Sequence, residues 1–191
     1  MALKSGERVV VVGCGPVGMV LTLALYRKGI PVTLLERAEG PIEDQRAAAI
    51  QPSSLEMLAK LGITDEIHER GLISPTFHYR DRVSGELVAE FDFSTLADMT
   101  EFPYVIQYEQ FKLVETIIAE IGDTPDVEYR FSCEVTGIEQ HADGATISFM
   151  NQDGEAESIR APWVVGCDGF SSVVRQAAEI DFVGFTYPEK F

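Results

Sequence analysis

The sequence has few cysteines, no long apolar run and a shortage of basic residues. Cys14, Cys133 and Cys167 are widely spaced, which excludes a disulfide framework and a Cys-x-x-Cys metal site. No stretch approaches the roughly 18 apolar residues that a transmembrane helix needs. Only 15 Lys and Arg residues accompany 31 Asp and Glu residues, a formal net charge of −16 at pH 7. Such a surface repels phosphate backbones and anionic lipids, so we expect neither nucleic acid nor a membrane as partner.

The composition is that of a globular domain. Hydrophobic residues make up 46% of the 191 residues and charged residues 24%, a balance typical of a chain with a packed core. Residues 1–8 are polar, and Val9–Val12 is too short for the apolar region of a signal peptide. We therefore expect a protein of the reducing cytoplasm.

The N-terminal segment has the pattern of a βαβ unit. Val9–Val12 is a β-branched run typical of a buried parallel strand. A glycine-rich turn at residues 13–18 follows, and an apolar helix is predicted over Pro16–Lys28. Val32–Leu35 is the second predicted strand.

The turn reads Gly-Cys-Gly-Pro-Val-Gly and matches the GxGxxG pattern of dinucleotide sites. In that pattern Gly13 permits a tight turn, Gly15 lets a pyrophosphate approach the backbone, and Gly18 lets the helix pack closely on the strand. The helix N-terminus offers unpaired N–H groups to the phosphates. Glu36, at the end of the second strand, can accept both hydrogens of a ribose diol. The alternative, a tight turn beside a surface glutamate, explains the strand, turn, helix and acid less completely.

The rest of the chain mixes helices with antiparallel strands. Periodicity, caps and Gly-containing turns locate these elements. They are a helix capped by Ser53 or Ser54 and ended by Gly62, a helix over Thr64–Arg70, a hairpin of Phe77–Arg82 with Glu86–Phe91, a helix over residues 111–121, a three-stranded meander within Phe131–Arg160, a strand over residues 162–166 and a helix over Ser171–Ala178.

The segment Val164–Gly169 repeats the order of the first unit, an apolar strand, a glycine turn and a helix start. Asp168 would lie at the carboxyl end of a strand, where ligands of open α/β sheets collect. An Asp-Gly pair after a strand is on its own more often a plain turn. The preceding GxGxxG unit, together with Ser172 and Arg175, makes this pair informative.

With these motifs the sequence resembles the FAD-dependent aromatic hydroxylases, which are single-component flavoprotein monooxygenases of the para-hydroxybenzoate hydroxylase type. It is most similar to their phenol and 3-(3-hydroxyphenyl)propionate hydroxylase branch. The resemblance covers nearly the whole chain, and the motifs occur in the family's order. It rests on Val9–Gly18, Leu34–Arg37, Arg46 with Ala47, Ile106 with Gln107, and Val165–Gly169 with Ser172 and Arg175.

The resemblance implies an α/β fold. A Rossmann-like FAD-binding domain would consist of a parallel sheet with an inserted three-stranded antiparallel meander, accompanied by part of a β-rich substrate layer. Residues 1–181 would form the FAD-binding domain, and residues 74–104 of it would contribute to the substrate layer. Residues 182–191 would begin a substrate-binding domain.

The resemblance also implies cofactor roles. The three glycines would hold the FAD pyrophosphate, Glu36 the adenosine ribose, and Arg46 the flavin side of the cofactor. Gln107 would reach the ribityl or pyrophosphate region, and the backbone of Val135 the adenine. Asp168 would serve both FAD and the visiting NAD(P)H. The implied cofactor-binding set is Gly13, Gly15, Pro16, Val17, Gly18, Glu36, Arg37, Arg46, Gln107, Val135 and Asp168.

The implied activity is hydroxylation of a small phenolic compound with molecular oxygen. NADPH or NADH would reduce bound FAD, and a flavin C4a-hydroperoxide would hydroxylate the ring. The family suggests a homodimer, and Arg175 would assist NAD(P)H. No residue is assigned as catalytic base. No metal is expected, because His68, His78 and His141 lie on different elements without ligand spacing.

Some expectations concern what the chain lacks. The family's second Gly-Asp motif has no match, and Phe182–Tyr187 has the composition of the start of another strand. The sequence is therefore predicted to be the N-terminal part of a longer hydroxylase. Two other functions stay open: another flavoprotein of the same fold, such as an epoxidase or a reductase, and a non-catalytic dinucleotide-binding module. Cys14 and Cys167 are interpreted as packing residues, and Trp163 and Phe170 as core.

Overall fold

A computed structural model describes residues 3–43, 47–186 and 188. None of the helices in this part is long and apolar enough to cross a membrane. The helices are α1 (Pro16–Tyr26), α2 (Pro52–Lys60), α3 (Thr64–Arg70), α4 (Gln110–Ile121) and α5 (Val173–Ala177). The strands are β1 (Val9–Val12), β2 (Val32–Leu35), β3 (Ala49–Ile50), β4 (Leu72–Ser74), β5 (Thr76–Arg80), β6 (Leu87–Asp92), β7 (Val105–Gln107), β8 (Val127–Arg130), β9 (Glu134–His141), β10 (Gly144–Met150), β11 (Ala156–Ala161) and β12 (Trp163–Gly166).

A four-stranded parallel sheet in the order β12-β1-β2-β8 forms the centre of the fold. Val12 is level with Gly166 on one side and with Leu35 on the other, and Leu35 is level with Arg130. All four strands therefore end at the same edge, which is where open α/β sheets bind their ligands. The predicted βαβ unit and the strand that precedes Asp168 are confirmed.

Different layers cover the two faces of the sheet, and this explains why β1 is apolar at every position. On one face Val11 packs in a cluster with Met19 of α1 and Ile117 of α4. On the other face Val10 packs with Ile147 and Phe149 of β10. The meander β11-β10-β9 is antiparallel, as predicted, and lies against this second face.

Two smaller sheets lie between β2 and α4 in the sequence. Strands β3, β7 and β4 pair in that order as an antiparallel sheet. Strands β5 and β6 form the predicted hairpin, and almost all of its residues are exposed. A 3-10 helix, Phe93–Leu96, follows it.

The structure corrects several local predictions. Helix α1 ends at Tyr26, two residues before Lys28. Neither Ser53 nor Ser54 caps α2, because Pro52 occupies a position in the first turn and Gln51 is the N-cap. Residues 182–186 contain no strand, and Tyr187 lies outside the described residues.

Two aromatic residues predicted to lie in the core are exposed. Trp163 is 50% exposed and Phe170 is 78% exposed. The reason for Trp163 is topological, since β12 is an edge strand of the parallel sheet in the described part of the chain. Phe170 lies in the turn after β12, where its ring contacts that of Phe182 edge to face.

Phe149 connects the meander to the central sheet, and its truncation tests how much this contact stabilises the fold. The ring is 1% exposed and packs in one cluster with Val10 and Leu35. Phe149→Ala should lower the free energy of unfolding by about 3–5 kcal/mol, because it removes buried apolar surface and leaves a cavity. Urea denaturation followed by circular dichroism measures this. Val83→Ala, at a position 96% exposed, should lower the free energy of unfolding by less than about 0.5 kcal/mol. Equal losses of stability in the two variants would contradict the burial of Phe149.

Candidate functional site

Backbone contacts at the glycine turn are so close that two positions have no room for a side chain. Gly13 donates its N–H to the carbonyl of Leu35 at 2.8 Å. Its φ is +104°, and a Cβ there would lie 2.4 Å from the carbonyl oxygen of Cys167. A Cβ on Gly18 would lie 1.9 Å from the carbonyl oxygen of Gly13. Glycine at both positions therefore lets α1 begin directly against the ends of β1 and β12.

Gly15 differs from these two glycines because it borders open space. Its φ of −70° and ψ of 176° suit any residue, and no heavy atom lies within 4 Å of a Cβ built there. Gly15 is the N-cap of α1 and, having no side chain, makes no capping hydrogen bond to this helix end. The first-turn N–H groups and the partial positive charge of the helix dipole suit this position to a phosphate. Val17, in the same turn, is 70% exposed.

Glu36 directly follows β2 and connects two backbone segments. Its Oε2 accepts a hydrogen bond from the N–H of Cys14 at 2.7 Å, and its Oε1 accepts one from the N–H of Ala38 at 2.9 Å. Its own N–H donates to the carbonyl of Arg130, and its carbonyl accepts from the N–H of Cys133. The carboxylate is half-buried and oriented, and it keeps lone pairs for hydroxyl donors such as those of a ribose.

A narrow pocket of about 80 Å³ lies beside the glycine turn and Glu36. The sequence motifs predicted one part of it. The motifs did not predict that the loop after β2 and the first turns of α4 would also line this pocket. Tertiary packing brings these two segments here, and no local motif marks them as pocket residues. The lining residues are Cys14, Gly15, Pro16, Glu36, Gly40, Pro41, Ile42, Gln110, Phe111 and Val114.

Asp168 lies at the predicted sheet edge, and its carboxylate organises the turn after β12. It accepts hydrogen bonds from the hydroxyl of Ser172 at 2.5 Å and from two N–H groups at the start of α5, at 2.7 and 3.2 Å. The N–H of Cys167 donates to the carbonyl of Val12 at 2.7 Å. This bond holds the Asp168 turn next to the glycine turn.

Gln107 and Val135 lie apart from this pocket. Gln107 is exposed at the end of β7 and lines another cleft, together with Phe77 and Tyr79. Val135 is 8% exposed, pairs with Phe149, and buries its side chain in the core between meander and sheet. The structure thus brings the glycines, Glu36 and the Asp168 turn together, and it places the other two residues elsewhere.

Among the arginines selected from the sequence, Arg37 and Arg175 do not line the pocket at the glycine turn. Arg37 is exposed, and Arg46 lies outside the described residues. Arg175 donates from Nη1 to the carbonyl of Phe170 at 2.8 Å, and its guanidinium lies 4.8 Å from the ring centroid of Phe182. Its Nε is buried without a hydrogen-bond partner in the described part of the chain.

The cysteines are free thiols with raised pKa values. Burial, reinforced by the charge of Glu36, raises the pKa of Cys14 from 9.0 to about 12. Burial also raises the pKa of Cys133 and of Cys167. Protonated thiols are poor nucleophiles and poor metal ligands, which supports a packing role for Cys14 and Cys167. Within residues 3–43, 47–186 and 188, no three His, Cys, Asp or Glu side chains are grouped to hold a metal ion.

The chain belongs to a flavin-binding family, since residues 7–191 match the family described as FAD binding domain. Para-nitrophenol 4-monooxygenase of Pseudomonas sp. (strain WBC-3) is 35% identical over 188 residues, which cover 98% of this chain and 46% of that protein. The 3-(3-hydroxy-phenyl)propionate/3-hydroxycinnamic acid hydroxylase of Klebsiella pneumoniae (strain 342) is 27% identical over 197 residues, covering 100% of this chain and 34% of that protein. The resemblance to flavoprotein aromatic hydroxylases is confirmed.

A solved structure agrees with the fold as well. The crystal structure of p-nitrophenol 4-monooxygenase from Pseudomonas putida DLL-E4 matches with a TM-score of 0.90 at 36% sequence identity, covering 95% of this chain and 45% of that one. The predicted α/β class with its antiparallel insertions is thereby confirmed. The chain spans less than half the length of each of these three relatives.

Gly15→Val should abolish FAD binding and leave the fold intact. The valine side chain would fill the open space at the start of α1, while the backbone conformation suits valine. Titration of the chain with FAD, followed by quenching of flavin fluorescence, should show no saturable binding. The free energy of unfolding should stay within about 1 kcal/mol of wild type, the cost of valine at an N-cap.

Two other glycines provide controls for this variant. Gly137, on β9, has equally open space around a Cβ and no left-handed φ, so Gly137→Val should bind FAD like wild type. Gly18→Val should instead destabilise the fold by about 1–3 kcal/mol, because its Cβ overlaps the Gly13 carbonyl. Wild-type FAD affinity in Gly15→Val would overturn the phosphate site.

The raised thiol pKa values predict slow alkylation in the folded chain. With a pKa of about 12 in place of 9.0, Cys14 holds about a thousandfold less thiolate at pH 8, and the thiolate is the reactive form. Iodoacetamide should therefore leave Cys14 unmodified in the folded chain and label all three cysteines in guanidinium chloride, as mass spectrometry would show. Labelling of folded Cys14 at the rate of a free thiol would contradict its burial.

Proposed function

We propose that this chain forms the FAD-binding part of a flavoprotein monooxygenase that uses NADH or NADPH to hydroxylate a phenolic compound. The observation that carries the proposal is the glycine turn. There the uncapped N-terminus of α1, the open side of Gly15 and the carboxylate of Glu36 border one pocket. Family membership supports FAD as the ligand, and relatives named for nitrophenol and hydroxyphenyl substrates support the reaction.

The residues present fit the two ends of an adenosine diphosphate group. The N–H groups at the start of α1 would hold the pyrophosphate over Gly15. Glycine would be required at this position because a side chain would occupy the space of the pyrophosphate. Glu36 would accept hydrogen bonds from the ribose hydroxyls with its remaining lone pairs. The neutral thiol of Cys14 adds no negative charge beside the phosphates, because its pKa is raised to about 12.

FAD supplies, when bound and reduced by NADH or NADPH, the oxygen-activating chemistry of aromatic hydroxylation. This chain contributes binding and orientation. The turn held by Asp168 would border the pyrophosphate, since it lies against the glycine turn. Gln107 would reach the ribityl side, Val135 would contribute its backbone near the adenine, and Arg46 would reach the flavin. These assignments come from the family resemblance.

The proposal extends to the organisation of the complete enzyme. Residues 1–181 would form the FAD-binding domain, with residues 74–104 in the substrate layer; the exposed hairpin of β5 and β6 within them supports this division. The enzyme would act on a small phenol with molecular oxygen as a homodimer. Its free cysteines agree with the reducing cytoplasm.

Phenol-dependent consumption of NADH or NADPH is the central test. The complete enzyme that contains this chain, loaded with FAD, should oxidise the nicotinamide when p-nitrophenol is added. Isotopically labelled dioxygen should place one labelled oxygen atom in the aromatic product, as mass spectrometry would show. Gly15→Val in the complete enzyme should abolish both signals.

Other outcomes would favour the other functions. Nicotinamide oxidation that is independent of any phenol, with no label in a product, would favour a flavin reductase of the same fold. Saturable FAD binding without nicotinamide oxidation would favour a non-catalytic dinucleotide-binding module. Either result would overturn the proposed hydroxylase.

A further inference from the structure

Tyr108 directly follows β7, and its side chain connects the end of this strand to α4. Tyr108 is 1% exposed, and its hydroxyl lies 2.8 Å from that of Thr116, which is 7% exposed and lies in the middle of α4. The two buried hydroxyls therefore form a hydrogen bond with each other. Only Glu109 separates Tyr108 from the first residue of α4. The side chain thus fixes the end of the strand against the side of the helix.

The position of α4 does not depend on this hydrogen bond. The inner face of the helix is buried in the same apolar cluster as Met19 of α1 and Val11 of β1. The buried side chains of this face are Leu113, Val114, Ile117 and Ile121. Burial of four such side chains stabilises the helix against the sheet more than one neutral hydrogen bond does. We therefore regard α4 as the fixed element, to which Tyr108 connects the end of β7.

β7 leaves the core at its last residue. Val105 and Ile106 are buried, whereas Gln107 is exposed. The next residue, Tyr108, is buried again, and its N–H donates to the carbonyl of Ala48 at 2.7 Å. Tyr108 therefore makes a backbone hydrogen bond towards β3 and a side-chain hydrogen bond towards α4. These two bonds hold the backbone immediately after Gln107.

We propose that Tyr108 is a positioning residue for cofactor binding, which orients Gln107 towards the ribityl side of FAD through the hydrogen bond to Thr116. This inference rests on the proposed function, which assigns Gln107 to that side of the cofactor. A side-chain amide forms hydrogen bonds only within a narrow range of distances and angles. The backbone that carries Gln107 must therefore be held in place, and the buried neighbour Tyr108 connects it to α4.

The diphosphate end of FAD is held by other elements and provides an internal comparison. In the proposed arrangement the glycine turn and Glu36 bind this end. The turn is fixed by the hydrogen bond from the N–H of Gly13 to the carbonyl of Leu35. A second hydrogen bond runs from the N–H of Cys14 to the carboxylate of Glu36. ADP carries the diphosphate end but neither the ribityl chain nor the flavin, so loss of the Tyr108 hydroxyl should weaken FAD binding and leave ADP binding unchanged.

The test compares Tyr108→Phe with wild type in the complete enzyme that contains this chain, prepared without flavin. Titration with FAD, followed by quenching of flavin fluorescence, should give a Kd about fivefold higher, the factor expected for loss of one neutral hydrogen bond. Calorimetric titration with ADP should give the wild-type Kd. In a Gln107→Ala background, Tyr108→Phe should cause no further loss of FAD affinity, because two residues that act through one contact are not additive.

A double variant separates positioning from stability. Tyr108→Phe leaves the buried hydroxyl of Thr116 without this partner, which should lower the urea midpoint of unfolding. Tyr108→Phe combined with Thr116→Val removes both polar groups and should recover the midpoint, while the Kd for FAD stays raised. Tyr26→Phe is the control, because Tyr26 is the last residue of α1, at the end opposite the glycine turn. It should leave both Kd values unchanged.

Several outcomes would overturn the inference. They are an unchanged Kd for FAD in Tyr108→Phe, equal losses of FAD and ADP affinity, and additive losses in the Gln107→Ala background. Recovery of FAD affinity together with stability in the double variant would also overturn it, because Tyr108 would then act on folding alone. If wild type binds no FAD, the proposed function fails and the inference with it. If FAD affinity depends on Tyr108 in an enzyme that hydroxylates no phenol, the proposed reaction fails while the positioning role stands.

Discussion

The contact between the backbone of α1 and the ends of β1 and β12 decides where everything else in the site lies. The carbonyl oxygens of Gly13 and Cys167 occupy the places that Cβ atoms on Gly18 and Gly13 would need. Because side chains are missing there, the helix begins directly above the edge at which all four parallel strands end. A single added methyl group would separate the helix from the sheet and move its unpaired N–H groups away from Glu36 and the Asp168 turn.

The two carboxylates at this edge, those of Glu36 and Asp168, accept hydrogen bonds from neighbouring groups of the chain itself. Glu36 connects the glycine turn to the loop after β2 through the N–H groups of Cys14 and Ala38. Asp168 accepts three hydrogen bonds, one from the hydroxyl of Ser172 and two from the N–H groups of the first two residues of α5. Each acid therefore fixes a loop that borders the proposed cofactor position. A carboxylate held in this way loses little side-chain freedom when it accepts a further hydrogen bond from a ligand, which is the physical benefit of preorganisation.

The sequence predicted the parts of the fold that depend on local chemistry. β-Branched runs marked β1 and β2, glycines marked the turn between β1 and α1, and alternation marked the meander. Strands β3, β4 and β7 have two or three residues each, too few for a period to be visible, and they are defined by pairing with distant partners. Trp163 was misplaced for a related reason: its apolar character favoured the core, whereas exposure depends on β12 lying at the edge of the described sheet.

The difference between local chemistry and tertiary packing also separates the pocket at the glycine turn from the cleft at the hairpin. At the glycine turn, one part of the pocket consists of backbone groups and one carboxylate, so a short motif was sufficient to predict that part; the loop after β2 and α4 supply the rest. The cleft lined by Phe77, Tyr79 and Gln107 is formed by side chains from β3, β5, β6 and β7, which meet only in the folded chain. The glycine turn leaves little room for variation, because Gly13 and Gly18 cannot carry a side chain. Side chains on an exposed hairpin can change without disturbing the central sheet, because the hairpin packs little against it. Changes of sequence on the hairpin would therefore leave intact the sheet edge that carries the glycine turn, Glu36 and the Asp168 turn.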